Sequence, residues 1–315
     1  MKKVLVLSGG VGGAKLALGL YRVLDAGNLV VAVNTGDDFD HLGLRICPDL
    51  DTTVYTLAGV ADREQGWGRA NETWRCLDTL ADLGGAAWFR LGDQDLALHL
   101  LRTQALTEGA SLSRFTEQLT QKLGVHAEVL PMSDQWVSTA VQTPEGRLWF
   151  QEYFVKRRCE PPVAAIEYSG AEQAQPNAQL LRYLASDDLR AIVIAPSNPF
   201  LSIAPLLAMP GLRAALQQAR APVVAVSPLI GNKAVKGPTA KIMRELNLTP
   251  SAPSVARYYA GLLDGFVVDT QDAALAAELT DDHFFTNTLM VTLEDRERLA
   301  REVLAYADRL PLRSR

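Results

Sequence analysis

A glycine-rich turn directly behind the first apolar segment is the feature that most constrains the fold of this chain. Residues 4–7 (VLVL) form a short apolar run, and residues 8–15 (SGGVGGAK) follow it directly. The segment 15–24 carries apolar residues at helical spacing, and residues 29–33 (LVVAV) form a second apolar run. A buried strand, a glycine turn, a helix and a second strand within about 35 residues are typical of a βαβ unit. The sequence therefore predicts a parallel sheet that begins with this unit.

Apolar runs in the second half of the chain continue the same alternation. The pattern predicts strands at residues 127–130, 137–142, 148–154, 191–195, 223–226, 266–268 and 290–292. It predicts helices at residues 72–83, 94–106, 111–122, 203–219, 239–246 and 294–310. The first three helices follow one another with few strand signals between them. We therefore predict a doubly wound α/β fold, in which residues 1–52 and 124–315 form a mainly parallel, Rossmann-like sheet and residues 53–123 form an inserted helical lobe.

Charge and composition exclude several classes of protein. The chain has 315 residues, with 31 lysines and arginines against 36 aspartates and glutamates, so its formal net charge is −5. Such a chain lacks the electrostatic footprint of a general nucleic-acid binder. Three cysteines and four histidines are scattered, which disfavours a disulfide framework or a structural zinc site. No apolar run approaches the roughly 18 residues that span a bilayer. We predict a cytoplasmic protein with neither a membrane nor a nucleic-acid partner.

The unusual loops all follow predicted strands, and ligands of such sheets bind beyond the carboxyl ends of the strands. In the first loop, glycines allow backbone N–H groups to crowd round a phosphate at the start of a helix. These glycines are Gly9, Gly10, Gly12 and Gly13. The loop is neither a P-loop nor a clean dinucleotide fingerprint, because Lys15 stands where the last small residue belongs. We interpret it as an anion-binding loop; a tight turn without a ligand is the plainer alternative.

The second loop is rich in aspartate. Five aspartates and one arginine occur between residues 37 and 51. Carboxylates at this density repel one another unless something neutralises them, and Mg²⁺ prefers one or two carboxylates plus substrate phosphates. Asp49 and Asp51 are two residues apart, so they face one ligand only if the segment is extended. The pattern favours a metal or substrate site, and a solvated loop of turn and cap residues is the alternative.

Three further segments carry polar side chains that suit a ligand. Ser197 and Asn198 lie between prolines in the loop after a predicted strand, although such turns are common without any function. Lys233 and Lys236 lie among glycines in residues 227–238, which suits phosphate recognition, although loop lysines are usually solvated. Arg90 stands between aromatic residues and a glycine, where it can stack on a planar ligand.

The chain carries no sequence motif that demands a covalent enzyme intermediate. It has no nucleophile elbow and no HExxH sequence. Glycine loops, paired acids and lysines fit an in-line displacement at phosphorus, in which the protein positions groups and neutralises charge with the help of a metal.

Six stretches together resemble the 2-phospho-L-lactate transferase family of deazaflavin coenzyme (F-420) biosynthesis. They are SGGVGGAK at 8–15, NTGDDFDHLGL at 34–44, PDLDT at 48–52, RLGDQD at 90–95, APSNPFLSI at 195–203 and SPLIGNKAVKGP at 227–238. They occur in the order of the family and cover nearly the whole chain. PDLDT and AVKGP are fairly specific, whereas the glycine loop is not.

The resemblance implies the activity and the partners. A guanosine-diphospho-activated three-carbon acid, of the lactyl, enolpyruvyl or glyceryl type, donates its acid-phosphate unit to the terminal ribityl hydroxyl of 7,8-didemethyl-8-hydroxy-5-deazariboflavin. GMP leaves, a phosphodiester forms and Mg²⁺ assists. The family is usually dimeric, which implies a homodimer, and it combines a helical lobe with a Rossmann-like core.

The resemblance also assigns residues. Asp51 and Arg90 match family positions that contact the deazaflavin, and Asp51 is the expected catalytic residue. Asp51 is also the preferred metal ligand and Asp49 the second. The nucleotide and phosphate side matches a larger set, namely Gly9, Gly10, Gly12, Gly13, Lys15, Asn198, Lys233 and Lys236. Asp51 is expected to hold metal and orient the hydroxyl rather than to act as a strong base.

Two other readings compete with the transferase. A similar bacterial family, implicated in carbon metabolism and cell shape, shares the glycine loop and the acidic segment and binds a nucleotide sugar without catalysis. The PDLDT and RLGDQD stretches favour the transferase over it. An NAD-dependent dehydrogenase is weakened by Lys15 in the fingerprint and by the lack of a single acid closing the second strand.

Overall fold

The computed structural model describes residues 2–279 and 282–313. The strands are β1 (Lys3–Ser8), β2 (Leu29–Val33), β3 (Phe39–His41), β4 (Leu44–Ile46), β5 (Glu128–Pro131), β6 (Ser138–Thr143), β7 (Gly146–Trp149), β8 (Ala165–Ser169), β9 (Leu189–Ile194), β10 (Val223–Val226), β11 (Leu229–Ile230), β12 (Lys233–Ala234), β13 (Gly265–Asp269) and β14 (His283–Thr286).

The helices lie between and after these strands. They are α1 (Gly10–Val23), α2 (Pro48–Ala58), α3 (Arg75–Asp82), α4 (Asp93–Thr107), α5 (Leu112–Lys122), α6 (Ala178–Ala185), α7 (Ala204–Leu207), α8 (Leu212–Gln218), α9 (Thr239–Glu245), α10 (Ala252–Tyr258) and α11 (Leu293–Ala307). Two π-helical segments, Glu152–Lys156 and Pro199–Ile203, and one 3₁₀ segment, Thr270–Glu278, complete the set in the described part of the chain.

The central sheet has seven parallel strands in the order β14-β13-β10-β9-β1-β2-β5. The chain builds outward from β1, first to β2 and β5 on one side and then to β9, β10, β13 and β14 on the other. The strand order therefore reverses between β1 and β9, and their carboxyl ends form a switch point. The predicted doubly wound α/β fold is confirmed.

Burial on both faces explains why the strands are continuous apolar runs. Along β1, Leu5 and Leu7 pack into the core on one face of the sheet, whereas Val4 and Val6 pack on the other. Leu16 and Leu20 of α1 cover Val4 and Val6, and the alternation follows the two-residue repeat of a strand. A strand buried on both faces needs no polar alternation.

A second, antiparallel sheet lies after β5. Its order is β7-β6-β8, and β6 and β7 form the hairpin predicted around residues 144–146. The predicted strand 148–154 was too long, because strand pairing ends at Trp149 and the chain turns into the π-helical segment Glu152–Lys156.

Two other predicted elements were wrong. Residues 290–292 are not a strand; the last strand is β14, and Thr292 instead caps α11 through a capping box with Asp295. The helix predicted at 203–219 is broken, because Gly211 has a positive φ of 80° and separates α7 from α8. The apolar residues at 290–292 did not show whether this segment was a strand or the start of a helix.

The helical region begins earlier than expected. Helix α2 starts at Pro48 and runs through the proposed boundary between residues 52 and 53. It buries Leu50 and Val54 against the core, in the same cluster as α1. Helices α3, α4 and α5 follow, at or within a few residues of the predicted bounds. The division of the chain into a core and a lobe stays a prediction.

Within residues 2–279 and 282–313, no single helix is long and apolar enough to cross a membrane. One bent pair, Pro199–Leu207 with Leu212–Gln218, passes by length and composition only.

Close packing between α1 and α11 predicts the effect of a small substitution. A Cβ added at Gly19 would overlap the backbone carbonyl of Arg296. Helix propensity alone would make Gly19→Ala stabilising by about 1 kcal/mol. We expect the overlap to dominate, so that Gly19→Ala lowers the free energy of unfolding by about 1–3 kcal/mol in urea denaturation. Arg22→Ala on the same helix is the control, with a change within about 0.5 kcal/mol. A Gly19→Ala protein at least as stable as wild type would contradict this.

Candidate active site

The glycine turn after β1 is clamped to the loop after β9 across the switch point. The Gly9 N–H donates to Ser197 Oγ at 3.1 Å, and the Ser197 hydroxyl donates to the Gly9 carbonyl at 2.8 Å. A Cβ at Gly12 would lie 2.6 Å from the Pro196 carbonyl oxygen, and one at Gly13 would lie 2.7 Å from Ser197 Oγ. These contacts require glycine at positions 12 and 13, whether or not a ligand binds to the turn. The predicted role of the turn in binding phosphate stays a prediction.

The acidic loop folds back beside the glycine turn. A Cβ at Gly9 would lie 2.6 Å from Asp49 Oδ2, which accepts a hydrogen bond from Asn34 Nδ2 at 2.9 Å. Asp37, Asp38, Asp49 and Asp51 are all buried, at 5–7% exposure. The structure thus gathers four carboxylates next to the carboxyl ends of β1 and β2.

Burial changes the protonation of these acids. It raises the pKa of Asp49 to about 6, against the opposing effect of hydrogen bonds from Asn34 and the Gly10 N–H. Burial and the neighbouring Asp49 carboxylate raise the pKa of Asp37 well above its usual range. Burial likewise raises the pKa of Asp38. Each negative charge here destabilises the site in the absence of a cation.

Asp49 and Asp51 face different partners, because the segment that carries them is a helix and not an extended stretch. Pro48 occupies the first turn of α2, a position that suits its fixed φ, and both aspartates lie in that turn near the positive end of the helix dipole. A helix separates residues two apart by about 200° around its axis. Asp49 therefore faces Asn34 and Asp51 faces the helical region.

Asp51 is paired with an arginine that the sequence did not single out. Arg102 of α4 donates to both carboxylate oxygens, with its Nη1 at 3.1 Å from Oδ2 and its Nη2 in close contact with Oδ1. Arg102 is 1% exposed. His99 Nδ1 lies 3.8 Å from Asp51 Oδ2, and burial lowers the pKa of His99 to about 4, so His99 is neutral at pH 7.

One signal in the sequence indicates that Arg102 needs a buried partner, although it does not name Asp51. Asp95, Leu98, His99 and Arg102 recur at helical spacing in the predicted helix 94–106, so they share one face. All four are buried in α4. Charged residues on the apolar face of an amphipathic helix require buried partners.

A pocket of about 420 Å³ opens beside the acids. Asp37 and Asp38 contribute to one part of its lining, and aromatic side chains line much of the rest. These aromatic residues are Phe39, Trp88, Trp136, Trp149 and Phe150. An apolar pocket with a few convergent polar groups and perturbed pKa values is the usual form of a small-molecule site.

The residues present fit a divalent cation in part. Within the described ranges, no three His, Cys, Asp or Glu side chains are arranged to hold a metal. Asp37 Oδ1 is buried and has no hydrogen-bond partner there, and Asp37 repels Asp49. Mg²⁺ needs only one or two carboxylates when substrate phosphates supply the other ligands. Asp37 and Asp49 meet that requirement, whereas the charge of Asp51 is already balanced by the guanidinium of Arg102, which makes Asp51 the weaker candidate for a metal ligand.

Two of the predicted lysines lie beside the start of α1. Lys236 Nζ donates to the Gln65 carbonyl at 2.9 Å, and Gly66 beside it packs against Val11. Lys15 donates to the Met290 carbonyl at 2.9 Å. Burial and the nearby charges of Arg296 and Lys236 lower the pKa of Lys15. These cations therefore gather on one side of α1.

The remaining predicted residues have separate surroundings. Asn198 Oδ1 accepts from the N–H groups of Phe200 and Leu201, whereas its Nδ2 is buried with no partner among residues 2–279 and 282–313. Lys233 is exposed on the hairpin β11–β12. Arg90 is exposed, with its guanidinium 4.2 Å from the Trp74 ring, so its observed contact is with Trp74 rather than with Asp51.

Comparisons with known proteins identify the family of the chain. The model of the family "2-phospho-L-lactate transferase CofD" matches residues 4–307. The chain is 44% identical over 283 residues to the phosphoenolpyruvate transferase of Streptomyces griseus, covering 88% of each chain. It is 38% identical over 304 residues to the 2-phospho-L-lactate transferase of Methanosarcina mazei, covering 96% of this chain and 99% of that one.

The chain belongs to the CofD family of 2-phospho-L-lactate transferases. Membership identifies it as a transferase of F-420 biosynthesis, which confirms the resemblance in its motifs. A crystal structure of a UPF0052 family member from Bacillus halodurans is similar in fold, with a TM-score of 0.62 at 16% identity, covering 96% of this chain and all of that one. That likeness supports the fold alone.

The raised pKa of Asp49 predicts how stability depends on pH. A folded-state pKa of about 6 against 3.8 means that the folded protein binds the proton more tightly than the unfolded chain. For this group, stability is greatest below about pH 4 and is lost as the pH rises through 6. We expect Asp49→Asn to raise the free energy of unfolding of the metal-free protein by about 1–3 kcal/mol at pH 8, with little change at pH 4.

Urea denaturation at both pH values measures the difference. Asp82→Asn, at an exposed position of α3, is the matched control and should change stability equally little at either pH. The free energy of unfolding of wild type and of Asp49→Asn is compared at pH 4 and pH 8. If it falls by the same amount in both proteins, the Asp49 carboxylate is not the destabilising group.

Proposed function

We propose that the chain transfers a 2-phospho-three-carbon-acid unit from its guanosine-diphospho-activated form to the terminal ribityl hydroxyl of 7,8-didemethyl-8-hydroxy-5-deazariboflavin. GMP leaves and a phosphodiester forms. The observation that carries the proposal is the shared set of carboxylates. Asp49 touches the glycine turn through Gly9, its neighbour Asp37 lines the aromatic pocket, and the two sites therefore adjoin.

The pocket supports a planar acceptor. Trp136 and Trp149 are partly exposed around it, and each has an arginine guanidinium 4.1 Å from its ring. Aromatic rings stack on extended ring systems in offset or edge-to-face arrangements. A tricyclic deazaflavin bound among these rings leaves its ribityl chain to reach toward Asp37 and Asp38.

The donor is assigned to the glycine turn and the cations beside it. Backbone N–H groups of residues 11–13 at the start of α1 bind its phosphates, and Lys15 and Lys236 neutralise their charge. We propose Mg²⁺ as the cofactor, held by Asp49 together with Asp37. When bound, the ion neutralises charge on the diphosphate and helps to orient it.

Asp51 orients the attacking hydroxyl. Its carboxylate accepts a hydrogen bond from the hydroxyl and keeps the oxygen aligned with phosphorus. The new bond forms between this oxygen and the phosphorus, the bond between that phosphorus and the bridging oxygen breaks so that this oxygen leaves with GMP, and the hydroxyl proton is released to solvent. Alignment contributes more here than a strong base would. Holding the hydroxyl and the phosphorus in the reactive geometry lowers the activation barrier by about several kcal/mol. Both substrates are small molecules, and the proposed assembly is a homodimer in the cytoplasm.

The three-carbon acid is not fixed by the relatives. One is named for phosphoenolpyruvate and another for 2-phospho-L-lactate. Lactyl, enolpyruvyl and glyceryl donors differ by small groups, which pockets distinguish by only about 1–3 kcal/mol. Incubation with deazaflavin, Mg²⁺ and each donor in turn, followed by mass spectrometry of the product, tests the function and ranks the donors. A chain that bound a nucleotide sugar but no deazaflavin would contradict the proposal.

Asp51→Asn tests the catalytic assignment. We expect the variant to lose transfer by at least about 10²-fold while it still binds deazaflavin. The substitution leaves the buried Arg102 without its counter-ion and should lower the free energy of unfolding, so circular dichroism must first show that the variant is folded. Release of GMP by chromatography and binding by deazaflavin absorbance give the two readouts. The exposed Asp82→Asn serves as control. Near-normal turnover of Asp51→Asn would reject the assignment.

Trp136→Ala tests the acceptor pocket. Loss of one aromatic contact should raise the KM for deazaflavin by about 2–10-fold, since such contacts contribute about 0.5–1.5 kcal/mol. The KM for the donor should stay within about 2-fold. Trp67 is exposed to a similar extent and does not line the pocket, so Trp67→Ala is the matched control. A change in the donor KM instead would place the acceptor elsewhere.

A further inference from the structure

We propose that Arg102 is a positioning residue of the transfer reaction, which fixes the Asp51 carboxylate in the orientation that receives the acceptor hydroxyl. This inference rests on the proposed function, and it adds a residue from the helical region to the reaction. Arg102 acts through Asp51 and touches neither substrate.

The contact between the two side chains defines the orientation of the carboxylate. The planar guanidinium of Arg102 meets both oxygens of Asp51, so it sets the carboxylate plane as well as its distance. Each carboxylate oxygen carries two acceptor positions. Arg102 therefore leaves acceptor capacity on Asp51 for a substrate hydroxyl.

Arg102 is itself held in one place. Its Nη1 also donates to the Arg45 carbonyl at 3.2 Å, and the guanidinium lies 5.5 Å from the Phe115 ring. Thr103, its neighbour, accepts the Arg45 N–H at 2.8 Å. Arg45 lies in β4, which pairs with β3, and β3 begins at the pocket residue Phe39. Arg102 thereby links the pocket wall to α2 and α4.

A purely structural role does not account for this pair. Helices α2 and α4 are already joined one turn further along by a neutral donor, since the Tyr55 hydroxyl donates to Asp95 Oδ1 at 2.7 Å. Buried ion pairs contribute little net stability compared with apolar residues of the same size. A fully buried arginine that donates to both oxygens of a buried aspartate is instead suited to fix the orientation of its carboxylate.

Arg102→Lys is the decisive variant, because lysine keeps the charge but loses the two-pronged geometry. We expect kcat to fall by about 10²-fold, as for a displacement of about 1 Å at the reacting centre, while the KM values for donor and acceptor stay within about 3-fold. Tyr55→Phe is the matched control, since it removes the other polar contact between the same helices and leaves Asp51 untouched. Its kcat should stay within about 2-fold of wild type.

Chemical rescue keeps the test sharp if Arg102→Lys folds poorly. Arg102→Ala opens a space of the shape of a guanidinium, so added methylguanidinium should restore kcat while methylammonium should not. Three results would each overturn the positioning role. They are an unchanged kcat in Arg102→Lys, an equal loss of kcat in Tyr55→Phe, and equal rescue of Arg102→Ala by methylguanidinium and methylammonium. Failure of the proposed function has a different sign, namely a wild-type protein that is inactive with all three donors. The two failures are therefore distinguishable.

Discussion

The contact between Gly9 and Ser197 holds two loops together at the point where the two halves of the sheet meet. It joins the loop after β1 to the loop after β9, where the strand order reverses. In a parallel sheet both loops must leave from the same edge, so their backbones compete for one small volume. Only small residues allow this approach, which is why Gly12 and Gly13 face Pro196 and Ser197. The candidate site lies around this junction.

The buried carboxylates lower the stability of the folded chain. Four aspartates are removed from water, and the fully buried Arg102 is bonded directly to one of them, Asp51. The acids near the glycine turn are left with the amide of Asn34, with backbone N–H groups and with one another. A folded protein tolerates such unbalanced charge mainly at sites that bind or react. The stability of the chain and its activity thus make opposite demands on the same side chains.

The sequence was informative where the chain is locally consistent. Strands β1, β2 and β10 are continuous β-branched or leucine runs ended by glycine, serine or asparagine, so they were predicted almost to the residue. The hairpin β3–β4 was missed because its strands have three residues each and carry charges. The convergence of Gly9 with Asp49 followed from topology. The pairing of Asp51 with Arg102 did not, because it depends on how two helices pack rather than on either helix alone.

Helix α2 begins among the buried carboxylates and ends at Ala58, with Gly59 as its C-cap. A rod transmits displacement along its length, since a core-packed helix moves as a unit. A displacement of the start of this helix would therefore move Asp49 and Asp51 together. The two carboxylates are positioned as one unit relative to the glycine turn, although they face different partners.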